Sequence, residues 1–313
     1  MLNPVRDPIE AILQASEPAV LAVIAGIEGP SYRPLGAMMA ILPGAQPSKP
    51  DWIGSLSSGC VEADIALHAM QARQVGASSL VRYGRGSPFL DIQLPCGGGL
   101  EIGLVPDPDC SVLQKIADNQ KARIPCALHI DLRTGAMRVG APAPTQRKGD
   151  QLTILFEPGV RFLTFGKGPE ANTFAALVQS AGYANTLFSP DAETLQHAQA
   201  AGCPTAHLAK PAFPDNLAVD DRTAITLFFH DHDWEPPLLV GALQTDAFYI
   251  GAQGSRRARD KRMESLHALG VSKAERARLY GPVGLIPSAR DPGTLAVSVL
   301  AEILASAMPS GKD

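Results

Sequence analysis

Two cysteines in the first half of the chain lie beside glycines, in segments whose residue types could do chemistry. Cys60 is preceded by Ser58 and Gly59 and is followed by a segment that predicts a helix. A helix start favours the thiolate form of a cysteine, which is the form that attacks electrophiles and binds metals. Cys96 stands in LPCGGGLE, whose run of glycines is typical of a loop shaped around a ligand. Either thiol could be a nucleophile, a ligand to a metal or cofactor, or a small apolar filler.

The neighbours of these cysteines favour contact with a ligand. Glu62 falls in the first turn of the predicted helix, where the helix dipole favours an acid. Gly97 and Gly98 let a ligand approach the backbone closely. A zinc site is not indicated, because neither cysteine has a CxxC partner or clustered histidines. For the other cysteines we expect inert positions: Cys110, Cys126 and Cys203.

A basic segment in the second half, YIGAQGSRRARDKRMESL, predicts a helix that Ser255 caps. Arginines at positions 256 and 257 open this helix, and further cations follow at 259, 261 and 262. Cations are unfavourable at a helix N-terminus, where the dipole is already positive. A bound anion would compensate, and arginine gives bidentate contacts to phosphate, so Arg256 and Arg257 are candidate anion ligands. The alternative is a solvated charged face partly balanced by Asp260 and Glu264.

A glycine-rich turn in TFGKGPEANTF lies between a predicted strand and a predicted helix. Gly166, Gly168 and Ala171 fit the pattern G-x-G-x-x-A of dinucleotide-binding folds. The glycines would let the backbone approach a pyrophosphate at the helix N-terminus. The following strand ends in Ser189 and a proline, where an acidic ligand of the ribose is expected, and the next acid is placed to cap a helix.

The segment FFHDHDW, which runs to Trp234, contains the end of a buried strand. Its polar side chains, His230 and His232 with their neighbouring aspartates, could bind a metal, act as an acid–base pair or contact a ligand at the carboxyl end of the strand. The alternative is that a carboxylate caps the next helix while a histidine makes a structural hydrogen bond. Adjacent residues of an extended segment point to opposite sides, so the four side chains cannot all converge on one ion. Contact with a ligand, or a structural role, is favoured over a metal.

Strands and helices alternate regularly after residue 150, which predicts a parallel sheet with helices on both faces. The segment Gly140–Asp150 has the composition of a linker. The sequence therefore predicts the α/β class, with an N-terminal α/β domain at 1–150 followed by a Rossmann-like, doubly wound parallel-sheet domain at 151–313. The elements expected in the second domain are strands at 161–165, 184–188, 223–229 and 248–251 and helices at 169–181, 191–201, 234–244, 255–269 and 294–307.

Composition excludes several classes of protein. The chain has 313 residues, 45% of them hydrophobic, and a net charge of −4, which gives no general attraction to nucleic acid or to an anionic membrane. The apolar run Ala19–Ile27 is too short to cross a bilayer. Five cysteines without regular spacing do not indicate a disulfide framework, and the N-terminal segment lacks a signal-peptide pattern. We therefore expect a cytoplasmic protein with reduced thiols.

Several of these motifs together resemble one family. EGPSYRPLGAMM, GSLSSGCVEADI and LPCGGGLEI are similar to the N-terminal motifs of the xanthine dehydrogenase accessory proteins, the XdhC/CoxI family. FFHDHDWEPPLL, YIGAQGSRRARDKR and YGPVGLIPSARDPGTLAVSVLAEIL resemble the Rossmann-type C-terminal domain of that family. The likeness covers nearly the whole chain in the same order.

The resemblance implies a chaperone for the molybdenum cofactor, with no turnover and no catalytic residues of its own. Such a protein binds molybdopterin, assists its sulfuration with a cysteine desulfurase and delivers it to a xanthine dehydrogenase-type apoenzyme, and it forms homodimers. Cys60 and Cys96 are then candidate ligands of molybdenum or sulfur. The remaining expected cofactor-binding residues are Ser58, Gly59, Glu62, Gly97, Gly98, Gly166, Gly168, His230, His232, Ser255, Arg256 and Arg257.

The sequence departs from the family pattern in two places. Ser58 replaces a glycine of the usual GSISGGCVE, and GKGPEA replaces the usual GAGHVA. Two other functions stay open on the residues alone. The first is an NAD(P)-dependent oxidoreductase that uses Gly166, Gly168 and the basic helix, and the second is a scaffold that bridges desulfurase and dehydrogenase through that helix.

Overall fold

The computed structural model describes residues 7–46, 49–87, 97–229 and 233–307. The chain divides into two units, Met1–Pro158 and Gly159–Asp313. The sequence places this boundary at residue 150 instead. The difference arises because Gln151–Phe156 forms a strand that pairs along its whole length with Cys126–Asp131, which keeps it in the N-terminal unit. The expected linker Gly140–Asp150 contains the strand Gln146–Lys148 of the same sheet.

The elements of the N-terminal unit, in chain order, are α1 (Pro8–Leu13), β1 (Val20–Glu28), β2 (Met38–Gln46), β3 (Lys49–Gly54), α2 (Glu62–Val75), β4 (Ser79–Gly84), β5 (Gly99–Pro106), α3 (Cys110–Lys121), β6 (Cys126–Asp131), β7 (Met137–Gly140), β8 (Gln146–Lys148) and β9 (Gln151–Phe156). One sheet has the order β3-β2-β1-β5-β4 and another has the order β7-β6-β9-β8. The described pairings within both are antiparallel.

Strand β1 is buried on both faces and organises the core of the N-terminal unit. Leu21 and Val23 belong to a cluster that includes residues of α1, α3 and the sheet β7-β6-β9-β8. Ala22 and Ile24 belong to a second cluster, which α2 covers with Ile65 and its apolar neighbours. Because alternate residues of a strand point to opposite faces, one continuous apolar run supplies both cores.

The elements of the C-terminal unit are β10 (Arg161–Gly166), α4 (Pro169–Ser180), β11 (Ala184–Ser189), α5 (Ala192–Ala200), β12 (Thr205–His207), β13 (Thr223–Phe228), α6 (Glu235–Leu243), β14 (Tyr249–Ala252), α7 (Arg256–Ala268), α8 (Lys273–Arg276), β15 (Leu279–Tyr280) and α9 (Pro292–Ala307). The strands form a parallel sheet in the order β12-β11-β10-β13-β14-β15. This is the strand order of the Rossmann fold.

Helices cover both faces of this sheet. Leu163 and Phe165 of β10 face a cluster that contains residues of α6 and α7. Phe162, which precedes Leu163, faces the opposite cluster, which contains residues of α4, α5 and α9. The predicted α/β class and the doubly wound Rossmann-like sheet are therefore confirmed. No helix in the described part of the chain combines the length and apolarity that crossing a membrane requires.

Candidate functional site

The loop between β3 and α2 is held together by one buried carboxylate. Glu62, the first residue of α2, is 3% exposed. Its Oε1 accepts from the Ser55 hydroxyl at 2.8 Å and from the amides of Leu56 at 3.0 Å and Ser57 at 2.8 Å. Its Oε2 accepts from the Ser57 hydroxyl at 2.5 Å, and from the amides of Gly59 at 2.9 Å and Val61 at 3.2 Å. The carboxylate thereby fixes the loop.

The hydrogen bonds keep Glu62 ionised in spite of its burial. Burial alone would raise the pKa of this carboxyl. Hydrogen bonds from the hydroxyl and amide of Ser57 and from Ser55 outweigh burial and lower the pKa from 4.5 to about 2. Because both oxygens are occupied by donors of the loop itself, Glu62 shapes the loop. The predicted contact of Glu62 with a cofactor stays a prediction.

Cys60 is exposed at the end of this loop. Its amide donates to the Ser57 hydroxyl at 3.0 Å. The two preceding residues both adopt left-handed backbone, with φ of 64° at Ser58 and 101° at Gly59. The helix begins at Glu62 with Val61 as its N-cap, so Cys60 precedes the cap by one residue and lies just outside the predicted helical turn. The thiol is therefore presented to solvent by a loop whose backbone is bonded from within.

Several connections emerge at the same end of the sheet as this loop. Gly54, at the end of β3, lies opposite Met39 near the start of β2, and the end of β1 at Glu28 lies opposite Gly99 at the start of β5. In an antiparallel sheet the end of one strand and the start of its neighbour lie at the same end of the sheet. The chain leaving β3 and the glycines that enter β5 therefore lie toward the same end of the N-terminal sheet, with Gly54 level with Ala22 of β1 and Gly99 level with Glu28.

The predicted glycine pair before β5 has two different roles. Gly98 is buried, and a Cβ there would lie 2.1 Å from the carbonyl oxygen of Pro30. This glycine is required by close packing of two backbone segments. Gly97 is exposed with φ of 70°, and a Cβ there would meet nothing within 4 Å among the described residues. Apart from its chain neighbours, Gly97 thus has no described residue packed against the place of its missing side chain. Cys96 lies outside the described residues.

The glycine turn at the end of β10 allows close packing of the strand against its neighbours. A Cβ on Gly166 would lie 2.6 Å from the carbonyl oxygen of Phe228 and 3.0 Å from Cβ of Ala171. Gly168 caps α4 with φ of 85°, and Pro169 follows at the first helical position. Gly166 and Ala171 thus have the close strand–helix contact that the G-x-G-x-x-A pattern predicts.

The amide of this turn that would face a phosphate is already bonded. Gly168 N donates to the Thr194 hydroxyl at 2.9 Å, and that hydroxyl donates to Asp191 at 2.5 Å. Asp191 also accepts from the Thr194 amide and caps α5, as the sequence predicts for this acid. Hydrogen bonds from Thr194, together with the charge of Lys167, lower the pKa of Asp191. A pyrophosphate would meet an occupied donor, a proline without an amide hydrogen and an ionised carboxylate.

The basic helix α7 divides its cations between solvent and core. Ser255 caps it by accepting from the amide of Ala258 at 3.2 Å, and Arg256 and Arg257 are exposed in its first turn. Arg262 is only 5% exposed and forms an ion pair with the equally buried Glu235. The sequence pattern groups Arg262 with the exposed cations, and the structure separates it from them.

Other predicted positions are less closely grouped. His230 and His232 lie outside the described residues. Within the described ranges, no group of three or more His, Cys, Asp or Glu side chains is placed to hold a metal ion. In the N-terminal unit, Ser58, Gly59, Cys60 and Glu62 belong to one loop and Gly97 and Gly98 precede β5. In the C-terminal unit, Gly166 ends β10, Gly168 caps α4 and Ser255 caps α7.

Three relationships are visible in the structure and were not predicted from the sequence. Glu62 is an acceptor for its own loop, and serines at 55 and 57 before a buried acid are a signal for such a role. The Glu235–Arg262 pair joins two residues far apart in the chain, which no local spacing indicates. The Thr194 hydroxyl accepts from the amide of Gly168 in the glycine turn, but a single threonine in a helix is not part of a motif that would predict this contact.

Comparison with known proteins agrees with both units. Residues 12–84 match the XdhC and CoxI family, and residues 162–303 match the XdhC Rossmann domain. The molybdenum cofactor insertion chaperone PaoD of Escherichia coli (strain K12) is 34% identical over 95% of this chain and 86% of its own length. A probable xanthine dehydrogenase subunit of Bacillus subtilis (strain 168) is 26% identical over 95% of this chain and 95% of its own length.

A solved structure described as a xanthine dehydrogenase from Bacillus halodurans shares the fold. Its TM-score is 0.76, with 21% identity, and the match covers 95% of this chain and 94% of that one. The motifs, the order of the two units and the similarity along nearly the whole length all indicate the same family. This chain belongs to the XdhC and CoxI family.

Proposed function

We propose that this protein is a maturation factor for the molybdenum cofactor. It binds a molybdopterin-type cofactor as cargo, supports its sulfuration and inserts it into a xanthine dehydrogenase-type molybdoenzyme. Support comes from the similarity to PaoD, whose name is molybdenum cofactor insertion chaperone. The observation that carries the proposal here is the exposed Cys60 thiol, presented by a loop that Glu62 holds from inside.

The chemistry of this loop suits a molybdenum-containing cargo. A thiolate is a soft ligand, and molybdenum in a sulfur-rich cofactor is thiophilic. Ser58 and Gly59 are exposed and small, so they leave room for a bulky ring system near the thiol, and Gly97 is a further exposed small residue of the same unit. Cys60 is the proposed ligand of molybdenum or of its sulfur, and Cys96 is the second candidate from the sequence.

A carrier of this kind works between partners. We propose that a cysteine desulfurase supplies the sulfur, that an apo-molybdoenzyme receives the finished cofactor, and that the carrier itself is a homodimer in the cytoplasm. An exposed thiol on a preformed loop supports exchange of cargo with these partners, because the cargo can be loaded and released without unfolding the carrier. Light scattering of the purified chain tests the dimer.

The test compares two exposed cysteines. The full-length protein is purified from cells that make molybdopterin, and bound pterin and molybdenum are quantified after denaturation by fluorescence of the oxidised pterin and by elemental analysis. We expect Cys60→Ser to lower both contents at least about tenfold. Cys110→Ser is the matched control, because Cys110 is also exposed at a helix start but lies in α3.

The outcomes separate the parts of the proposal. Equal cofactor content in Cys60→Ser and in the wild-type protein rejects Cys60 as a ligand, and absence of pterin from the wild-type protein rejects the cargo. Adding the loaded protein to an apo-molybdoenzyme, with and without a cysteine desulfurase, tests insertion and sulfuration separately. Cys96→Ser in the same assay tests the second cysteine.

A further inference from the structure

Strand β4 forms one edge of the N-terminal sheet, and among the described residues its outer side has no partner strand. The sheet order β3-β2-β1-β5-β4 leaves β4 paired with β5 alone. Arg85, just after β4, donates its amide to the carbonyl oxygen of Gly98 and so continues the hydrogen-bonded pairs of this ladder. Bonded and non-bonded pairs alternate along an antiparallel ladder, so the amides and carbonyls of Leu80 and Arg82 point away from β5. No described residue forms a hydrogen bond with these outward groups.

The other edge strands of the two antiparallel sheets have features that discourage pairing with another chain, and β4 lacks them. β3, at the opposite edge of the same sheet, contains Pro50, which has no amide hydrogen, and the exposed Asp51. The edge strands of the second sheet, β7 and β8, have only four and three residues. Proline, charge and shortness are the usual protection of a sheet edge. β4 has six residues, SLVRYG, with no proline and one charged side chain, so its edge is open to pairing.

The single charge of β4, on Arg82, is turned away from this edge. The guanidinium forms ion pairs with Glu28 of β1 and Glu101 of β5, and its Nε donates to the carbonyl oxygen of Arg85 at 2.8 Å. Both glutamates belong to strands on the inner side of β4, so the side chain lies back over the sheet. The charge of Arg82 is balanced there and does not protect the outward backbone groups.

An open groove of about 550 Å³ lies beside the same edge. Its walls are residues 77–82, which include the first half of β4, and the side of α2 that carries Gln71 and Val75. Val75 is 77% exposed and Leu80 is 42% exposed. Leu67, also exposed, precedes Gln71 and Val75 on one ridge of the helix, because residues four apart share a helix face. Exposed apolar side chains thus flank an unpaired strand, a combination that an added strand would cover.

We propose that β4 pairs with β4 of a second copy of this chain, antiparallel and about a twofold axis at Val81. In this register Leu80 lies opposite the partner's Arg82, and each residue donates its amide to the carbonyl oxygen of the other. The outward backbone groups of both residues are then satisfied, and the two five-stranded sheets become one. The strand and helix of the second copy cover the apolar side chains beside the groove.

The strand carries its own complement, which favours a second copy over a strand of another protein. An axis at Val81 uses both outward residues and places Arg82 opposite an uncharged leucine. An axis at Arg82 would set two arginines opposite each other, and like charges in directly opposed positions are unfavourable. An axis at Leu80 would place Arg82 opposite Ser78, which precedes the strand. The contact about Val81 is self-complementary and closed, and the protected edge at β3 discourages further addition, so the assembly is a dimer.

The first experiment measures the monomer–dimer equilibrium of the full-length protein by sedimentation equilibrium. We expect a wild-type dimer, and a dissociation constant at least about tenfold higher for Leu80→Lys, which places a cation opposite the partner's Arg82. Leu80→Glu removes the same apolar side chain but meets that arginine with the opposite charge, so we expect it to dimerise at least about tenfold more tightly than Leu80→Lys. Trp52→Lys is the control, because Trp52 is also 42% exposed but lies on the protected edge strand β3, and its dissociation constant should equal the wild-type value.

The second experiment tests the register by disulfide formation between the two copies. Cysteines are introduced singly at Val81 and Leu80, in a background where Cys60, Cys96 and Cys110 are replaced by serine, and each protein is oxidised. Residues opposite each other in a non-hydrogen-bonded pair have Cα atoms about 4.5 Å apart, which is within reach of a disulfide. We expect a covalent dimer from Val81→Cys, which meets its own copy at the axis. Leu80→Cys lies two positions out of register with its own copy and should stay unlinked. Thermal unfolding shows that each variant is folded.

Each contrary outcome overturns the inference. A monomeric wild-type protein rejects a second copy as the occupant and leaves the edge to a strand of another protein. A wild-type dissociation constant in Leu80→Lys, or equal weakening by Leu80→Lys and Leu80→Glu, rejects the paired strands, and equal cross-linking of Leu80→Cys and Val81→Cys rejects the register. The inference rests on the homodimer of the proposed function and not on its cargo. A dimer that is insensitive to Leu80→Lys therefore rejects this surface alone, and absence of pterin from a wild-type dimer rejects the cargo alone.

Discussion

Ser57 binds both oxygens of the Glu62 carboxylate. Its amide donates to Oε1 at 2.8 Å and its hydroxyl donates to Oε2 at 2.5 Å, while the same hydroxyl accepts from the amide of Cys60 at 3.0 Å. The backbone at the thiol is therefore bonded to a hydroxyl that is itself bonded to the buried acid. This chain of contacts couples the position of Cys60 to the ionised state of Glu62.

Replacing Glu62 with glutamine is expected to loosen this loop. An amide offers only one oxygen, so its nitrogen would face donors that now have no acceptor. We expect a loss of about 2–4 kcal/mol in the free energy of unfolding, measured by urea denaturation. Glu157→Gln is the control, because Glu157 is exposed, and its change should stay within about 0.5 kcal/mol. Equal stability of the two variants would contradict the structural role of Glu62.

The stability of the wild-type protein should depend on pH through the same residue. The pKa of Glu62 falls from 4.5 to about 2 on folding. A lowered pKa means that the ionised carboxylate stabilises the fold fully above pH 4.5, and that this contribution, about 3 kcal/mol, is lost as the pH falls toward 2. The difference in unfolding free energy between wild type and Glu62→Gln should therefore shrink between pH 6 and pH 3 (roughly the span set by these pKa values). Parallel curves of unfolding free energy against pH for the two proteins would contradict this role of Glu62.

Ser58 offers a way to stabilise the loop. Its φ of 64° is unfavourable for a residue with a Cβ, at a cost of about 1 kcal/mol. Ser58→Gly keeps the amide that donates to the Ser55 hydroxyl and removes this strain, so we expect a gain of about 0.5–1 kcal/mol in the free energy of unfolding. Ser58→Ala keeps the strain and serves as the control. A gain in both variants would point to the lost hydroxyl instead of the backbone.

Most of the fold could be predicted from the sequence, because the residue patterns that indicate its strands and helices are local. The alternation of apolar strands and helices after residue 160 is a periodic pattern, and the parallel sheet follows from it. The exact boundary between the two units could not be predicted from the sequence. Whether Gln151–Phe156 belongs to one unit or the other depends on its pairing with β6, which joins residues 20 or more positions apart.

The sequence predicted which residues are candidates for the site better than it predicted the role of each residue. Cys60 and the basic helix start stand out by residue type and spacing. The roles of Glu62 and Arg262 depend on which way a side chain turns, into the loop in one case and toward Glu235 in the other. Burial of a charged residue is decided by distant partners, so spacing along the chain does not reveal it.

Nicotinamide dinucleotides are expected not to bind the Rossmann-like unit. The amide of Gly168 already donates to Thr194, and the strand β11 ends at the buried Ser189 where an acid for the ribose is expected. We expect no saturable heat when the full-length protein is titrated with NAD or NADP up to about 1 mM. Saturable binding would revive the oxidoreductase interpretation, and Gly168→Ala, which strains the turn, would then have to weaken that binding.

The buried pair Glu235–Arg262 should respond to mutation far more strongly than an exposed pair on the same helix. Glu235→Gln removes the charge that balances the guanidinium in an almost fully buried position, so we expect a loss of about 3–5 kcal/mol in the free energy of unfolding. Asp260→Asn breaks only the exposed pair with Arg259 at 3.9 Å, and should cost less than about 1 kcal/mol. Chemical denaturation of both variants measures the difference. Similar small losses would mean that Arg262 finds compensation elsewhere.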